Sequence, residues 1–422
     1  MTGTEAIALI HARSWVGRKP GLERTQALLE RLGNPERKLH FVHITGTNGK
    51  GSTAAMVASI LSAAGYRTGL FTSPHLYRFH ERMLVDGVPI EDSFLGELTE
   101  RVLEIAEGME DHPTEFELMT AVGMEFFLRQ NCDIVVLEVG LGGRLDSTNV
   151  IPAPETAVIT NIGLEHTQEL GNSLTLIAQE KSGILKPGCR AVLYRQSGEV
   201  ESVVSRVCEE LEIPLVITAP ESLEPLESSL EGQRFRYRGQ GPYRIPLLGR
   251  YQLNNAMTAL DVVWTMGEKG WKISEHAVEQ GLACVRWPGR LELTRRAPDF
   301  IVDGGHNPQC VEALVSALEE LYPGKKLIFL TGVLADKDWQ AMCRRALPLA
   351  KAFVTVTPDS PRALDGQELA RWITRYGLPA VPCDSLAEGV DEALEQAGPE
   401  DVICAWGSLY SVGEIRHRLG LC

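Results

Sequence analysis

Lys50 and Ser52 stand where an apolar run, Phe41-VHIT, passes through a glycine-rich turn, GTNGKGS, into an Ala-rich helical pattern, TAAMVASILSAAG. Glycines let backbone N–H groups close around phosphate oxygens, and a helix N-terminus adds partial positive charge. Lys50 offers an ammonium to the outer phosphates, and Ser52 a hydroxyl to a phosphate-bound Mg²⁺. The spacing departs from GxxxxGK[ST]: two residues separate Gly46 from Gly49, and Gly51 stands between Lys50 and Ser52. Strand before, helix after and hydroxyl beside lysine still point to a nucleoside triphosphate site.

Such a loop needs an acidic residue at the end of a nearby strand to hold metal. Glu138 is the one carboxylate in Ile134-VVLEV, and an unpartnered carboxylate in a buried strand is costly. Gly140, Gly142, Gly143, Arg144 and Asp146 follow it in a turn able to approach a ligand. His166, after the apolar run of Thr156-AVITNIG, and Ser73, after Thr68-GLFT, fall at corresponding strand ends. Parallel strands gather their carboxyl ends at one sheet edge, where ligands bind.

The elements that must position these groups alternate between short apolar runs and helical patterns, which predicts a parallel α/β architecture. Further runs are Phe300-IVDG, Lys326-LIFLTGV, Ala352-FVTVT and Asp401-VICAWG. Helical patterns cover 52–64, 117–129, 173–185, 252–267, 308–321 and 366–376. The segment 220–249 alternates as a small β excursion, and its Glu-rich part near 221–231 reads as a solvated loop. Tryptophan, proline and glycine in Arg286-WPGR, followed by a basic cluster, mark a boundary. We therefore expect a large P-loop-type, mostly parallel sheet domain at 1–290 and a smaller Rossmann-like α/β domain at 291–422.

The 422 residues carry 41 basic and 56 acidic side chains, a net charge of −15. Nucleic acid and anionic membranes need a basic footprint, so neither is an expected partner. No apolar run approaches the roughly 18 residues of a spanning helix, and MTGTEAIALIHARSWVGRK lacks the pattern of a secretion signal. Nine scattered cysteines without CxxC argue against zinc or a disulfide framework and for a reducing cytoplasm.

Taken in order, ITGTNGKGS, TSPHL, TEFELMT, LEVGLGGRLDSTN, ITNIGLEHT, EKSGILK, GRYQLNNAMTAL, WPGR and DGGHNP resemble the Mur ligase superfamily, and within it the folylpolyglutamate and dihydrofolate synthases. The matches extend from residue 44 to 308 and include the altered phosphate loop, which is that family's own form. The resemblance implies ATP-driven amide formation. A pterin-bearing carboxylate attacks the γ-phosphate, and the amine of L-glutamate captures the resulting acyl phosphate.

It also implies residue roles. Gly49, Lys50, Gly51, Ser52, Asn255, Arg290 and Asp303 would bind ATP; Ser52, Ser73, Glu138, His166 and a carbamylated Lys181 would hold Mg²⁺ at two sites. Lys50, Lys181 and His166 would be the catalytic set. Thr114, Glu115, Phe116, Glu117, Leu145, Asp146, Ser147 and His306 would contact the pteroyl substrate or L-glutamate. Residue 305 is glycine where the family often has alanine. The implied protein is a cytoplasmic monomer. Two alternatives stand beside it: a peptidoglycan-precursor ligase of the same superfamily, disfavoured by Gly51 and the TEFELMT segment, and a regulatory P-loop ATPase.

Overall fold

The computed structural model describes residues 1–12 and 20–421; residues 13–19, within the N-terminal stretch read above for a leader, lie outside that description. By internal contacts the chain divides into two units. The first holds Met1–Glu224, Arg236–Tyr243 and Asn254–Val285; the second holds Pro225–Phe235, Arg244–Leu253 and Arg286–Cys422.

The first unit is built on eight strands: β1 (Phe41–Thr45), β2 (Thr68–Phe71), β3 (Met83–Val85), β4 (Val88–Pro89), β5 (Ile134–Glu138), β6 (Thr156–Ile159), β7 (Arg190–Leu193) and β8 (Leu215–Ile217). Their order is β4-β3-β2-β5-β1-β6-β7-β8. All pairs from β2 to β8 are parallel, and β3 and β4 add an antiparallel edge. Every residue of β1 and β5 is buried, as expected of parallel strands covered on both faces. From β1 the chain crosses to β2 on the β5 side, whereas from β5 it crosses to β6 on the other side of β1. The connections therefore part at the carboxyl ends of β1, β5 and β6, the switch point at which such sheets open a crevice.

One sheet face packs Phe41, Phe71, Val135 and Leu137 against helices Asp92–Glu107 and Glu115–Arg129. Farther along it, Ala157, Ile159, Ala191 and Leu193 pack with Ile177 and Val203. The phosphate-loop helix, Lys50–Ala63, is buried along most of its length and lies against helix Glu275–Cys284. Contact there is close: a Cβ added to Gly281 would lie 2.4 Å from the Ile60 Cα, and Ser59 donates to the Gly281 carbonyl at 2.7 Å.

β9 (Leu223–Ser229), β10 (Gly232–Tyr237) and β11 (Gln240–Ile245) form a separate three-stranded sheet. The Glu-rich run expected as a solvated loop is solvated, but as strand β9. Its glutamates face water, and Glu224 and Glu227 lie near Arg236 and Arg234 of β10.

The second unit carries β12 (Glu292–Arg295), β13 (Asp299–Val302), β14 (Leu327–Thr331), β15 (Ala350–Thr355), β16 (Ala380–Pro382) and β17 (Val402–Trp406). They are ordered β12-β13-β17-β14-β15-β16, parallel except for β12. Its core gathers Ile301, Leu314, Leu318, Phe329, Phe353 and Trp406. Both units thus have the α/β, mainly parallel character expected from the alternating pattern.

Candidate active site

The phosphate loop is a tight turn between β1 and its helix. Gly49 is the helix N-cap at φ 88°, and Lys50, Gly51 and Ser52 form the first turn, which contains no acidic residue. The helix begins two residues earlier than the apolar pattern indicated, which places Lys50 at its first position. First-turn N–H groups have no intrahelical acceptor, so this geometry presents donors to an anion. A Cβ on Gly49 would come within 2.5 Å of Asn255 Oδ1, and one on Gly46 within 1.8 Å of Thr160 Oγ1. Glycine at both positions is therefore a packing requirement, and Asn255 lies against the loop. The amides of Thr47 and Asn48 donate to the Asn161 carbonyl at 2.7 and 3.3 Å, tying the loop to the segment after β6.

Two lysines meet behind this loop. Lys50 Nζ donates to the carbonyls of Gly46 and Thr47 at 3.1 and 3.2 Å. Lys181 Nζ, on helix Leu174–Ser182, donates to the same Gly46 carbonyl at 2.7 Å. Lys181 is 4% exposed. Burial, reinforced by the neighbouring Lys50 charge, brings its ammonium down to about 7. A helix-surface lysine, the reading its sequence alone supports, would not do this.

A crevice opens here, walled by Thr45, Gly46, Thr47, Lys50, the turn Val139, Gly140, Leu141 and Gly142, and by Glu165, His166, Leu170 and Lys181. Glu138, 5% exposed at the end of β5, accepts from the Ser73 amide at 3.2 Å, so these two expected metal ligands are neighbours. His166 is exposed at φ 52° and caps the short helix Thr167–Leu170. Glu165 is a wall residue that the sequence reading passed over. Its signal was its place beside His166 in LEHT, and its charge opposes the depression at Lys181.

The segments expected on the pterin side divide by role. Thr114 and Glu117 form a reciprocal capping box on helix Glu115–Arg129. Glu117 also takes a bidentate pair from Arg24 at 3.0 and 3.1 Å, and Glu115 lies 2.8 Å from His11. Phe116 faces the glycine turn: a Cβ on Gly140 would strike its ring at 2.5 Å. Asp146 is buried and turned into its own loop, accepting from the amides of Leu141 and Thr148 at 2.8 and 3.0 Å. Burial raises its pKa against those donors. Ser147 Oγ lies 3.1 Å from Thr120 Oγ1, and Leu145 is exposed.

Arg290, Asp303 and His306 belong to the second unit. Asp303 is buried and accepts from the amides of Leu291 and Gly305 at 2.8 and 2.7 Å. Burial raises its pKa, while the Arg290 charge opposes the rise. An Arg290 guanidinium nitrogen would lie 2.8 Å from a Cβ on Gly304, and His306 Nδ1 is 2.9 Å from the Gly304 carbonyl. A Cβ on Gly305 would meet Asp303 Oδ1 at 2.8 Å, so glycine relieves crowding at the position that departs from the family pattern.

Among the described residues, no three His, Cys, Asp or Glu side chains converge as a metal-ligand group. Ser73 and Glu138, which are neighbours, and Ser52, in the first turn of the phosphate-loop helix, carry hard oxygen donors. That suits Mg²⁺, which takes one or two carboxylates and completes its shell with phosphate and water. No helix among the described residues is long and apolar enough to cross a membrane.

Family comparisons define the class of protein. The Mur ligase middle-domain family model matches residues 44–263, and the Mur ligase glutamate ligase domain matches residues 289–409. The chain belongs to the Mur ligase family and is an ATP-dependent ligase. It is 35% identical to the dihydrofolate synthase/folylpolyglutamate synthase of Bacillus subtilis, over 98% of both chains. Among solved structures it resembles the Mycobacterium tuberculosis folylpolyglutamate synthase complexed with ADP and AMPPCP, at TM-score 0.89 and 31% identity over 99% of each chain. The Escherichia coli protein in complex with DHPP and ADP matches at TM-score 0.89 and 28% identity, over 100% of this chain and 98% of that one.

Proposed function

We propose that this ligase joins L-glutamate to the free carboxyl of a reduced folate, and to that of dihydropteroate, at the expense of ATP. The observation that carries the reading is the cavity in which the phosphate loop, Lys50 and Lys181 face the glycine turn after β5. The first-turn amides and Lys50 hold the phosphates. Asn255, packed on Gly49, lies on the nucleoside side of the loop. Phe116 offers an aromatic face to a flat heterocycle beside Gly140, and Asp146 and Ser147 shape that wall.

The pteroyl carboxylate attacks the γ-phosphorus, ADP leaves, and the carboxyl becomes an acyl phosphate. The neutral amine of L-glutamate then attacks the acyl carbon, loses a proton and expels inorganic phosphate. Lys50 stabilises the charge gathering on the transferred phosphoryl group. Arg290, Asp303 and His306 are the second unit's ATP- and glutamate-binding residues in this reading. Ser52, Ser73, Glu138 and His166 would hold Mg²⁺ at two sites, an ion that neutralises phosphate charge when bound. Lys181 is the carbamylation site. Its amine, brought near 7 by burial, adds to the carbon of CO₂ and releases one proton, leaving an oxygen-bearing anion able to join those ligands.

In this reading the protein acts as a cytoplasmic monomer. Incubation with ATP, Mg²⁺ and L-glutamate, with dihydropteroate or tetrahydrofolate supplied separately, tests it by product mass. A gain of one glutamyl residue is expected with each acceptor. ATP hydrolysis at the same rate without either acceptor would overturn the reading.

A further inference from the structure

His43 is the one titratable side chain in β1. It is fully buried in a central strand, level with Leu137 of β5 and Ala157 of β6, on a face that beside it packs Phe41, Leu137 and Ala157. A polar ring in such a place is costly unless a hydrogen bond compensates it. The compensation is specific. His43 Nε2 lies 2.9 Å from Thr148 Oγ1, and that hydroxyl lies 2.5 Å from Asp146 Oδ1.

The other donors define the direction of this chain. Asp146 accepts from the Thr148 and Leu141 amides, so its carboxylate is the terminal acceptor and the Thr148 hydroxyl donates to it. Thr148 Oγ1 then accepts from His43, which must carry its proton on Nε2. In agreement, His43 Nδ1 meets no polar partner among the described residues, as a bare ring nitrogen tolerates better than a buried N–H would. Two residues along the same face of β1, Thr45 Oγ1 donates to the Gly142 carbonyl at 2.6 Å. Side chains two apart on a strand share a face, so β1 grips the glycine turn at two points.

We propose that His43 is a positioning residue for the ligase reaction: acting through Thr148 and Asp146, it holds the Gly140-Leu141-Gly142 wall at the spacing the pteroyl substrate requires. The substrate assignment rests on the function proposed above; the mechanical link does not.

Thr148→Val and His43→Leu break the relay, whereas Thr148→Ser and His43→Gln keep a donor or acceptor in place. Hydrogen exchange of the segment 139–145 and the KM of each substrate are the readouts. Loss of one link in a buried relay predicts exchange and pteroyl-substrate KM each raised roughly tenfold. The KM for L-glutamate is expected to stay near that of the parent, the melting temperature to fall because a buried polar group loses its partner, and the two conservative variants to recover parental values. Unchanged exchange in 139–145, or a loss shared by every substrate and every segment without recovery in the conservative variants, overturns the proposal. A parent enzyme that ignores pteroyl acids would instead defeat the functional reading, with the exchange arm still deciding the relay.

Discussion

Lys50 and Lys181 share one acceptor, the Gly46 carbonyl, and that arrangement separates their chemistry. Two ammonium groups beside one oxygen repel, and the more buried one gives up its proton more readily. Lys181 is half-neutral near pH 7 in the fold, whereas an unfolded lysine stays protonated to about 10.4. Between those values the unfolded chain binds the extra proton, so unfolding free energy rises with pH across the window. In CO₂-free buffer, stability is expected to increase more steeply from pH 7 to 10 in the parent than in Lys181→Met. Parallel denaturant-derived curves would refute this. Lys50→Ala and Glu138→Ala are each expected to lower turnover at least about a hundredfold, because in the proposed reaction each removes a group that faces developing phosphate charge or its metal. Circular dichroism should show both variants folded. Near-parental product formation by either variant would remove its assigned role.

At the scale of elements, the phosphate-loop helix gets its place from a neighbour. Helix Lys50–Ala63 has almost no preferred apolar side, being buried nearly all round, so its rotation depends on what packs against it. Gly281 allows helix Glu275–Cys284 to approach backbone to backbone. Gly281→Val forces side-chain atoms into Ile60, and overpacking of this kind costs about 1–3 kcal/mol. Calorimetry is expected to show a lower melting temperature, and the KM for ATP to rise because the displaced helix carries the loop. An unaltered melting temperature would mean that the two helices part without cost. The antiparallel edge β3 and β4 escaped the sequence reading for a physical reason: at three and two residues, neither strand is long enough for alternation to register.

For the whole molecule, the decisive matter is whether the carboxyl substrate itself is phosphorylated. Oxygen-18 in the carboxyl group of dihydropteroate is expected to appear in inorganic phosphate, one labelled oxygen per amide formed. A direct attack of L-glutamate with no acyl phosphate would leave the phosphate unlabelled. The acidic net charge is compatible with polyanionic substrates because the attraction is local: backbone donors and a few placed cations act inside a restricted cavity, where screening is weak.

The sequence by itself determined the strand–glycine turn–helix around Lys50, the alternation that makes two parallel α/β sheets, and the positions of Glu138 and Ser73 at strand ends. These depend on residues within a few positions of one another, whose backbone preferences and periodicity are local properties. Only the tertiary structure decided that Lys181 reaches the Gly46 carbonyl across 135 positions of sequence, that Asn255 abuts Gly49, that Glu117 is committed to Arg24, and that His43 reaches Asp146 through Thr148. Burial, proton affinity and side-chain direction arise from partners distant along the chain, and folding supplies those partners.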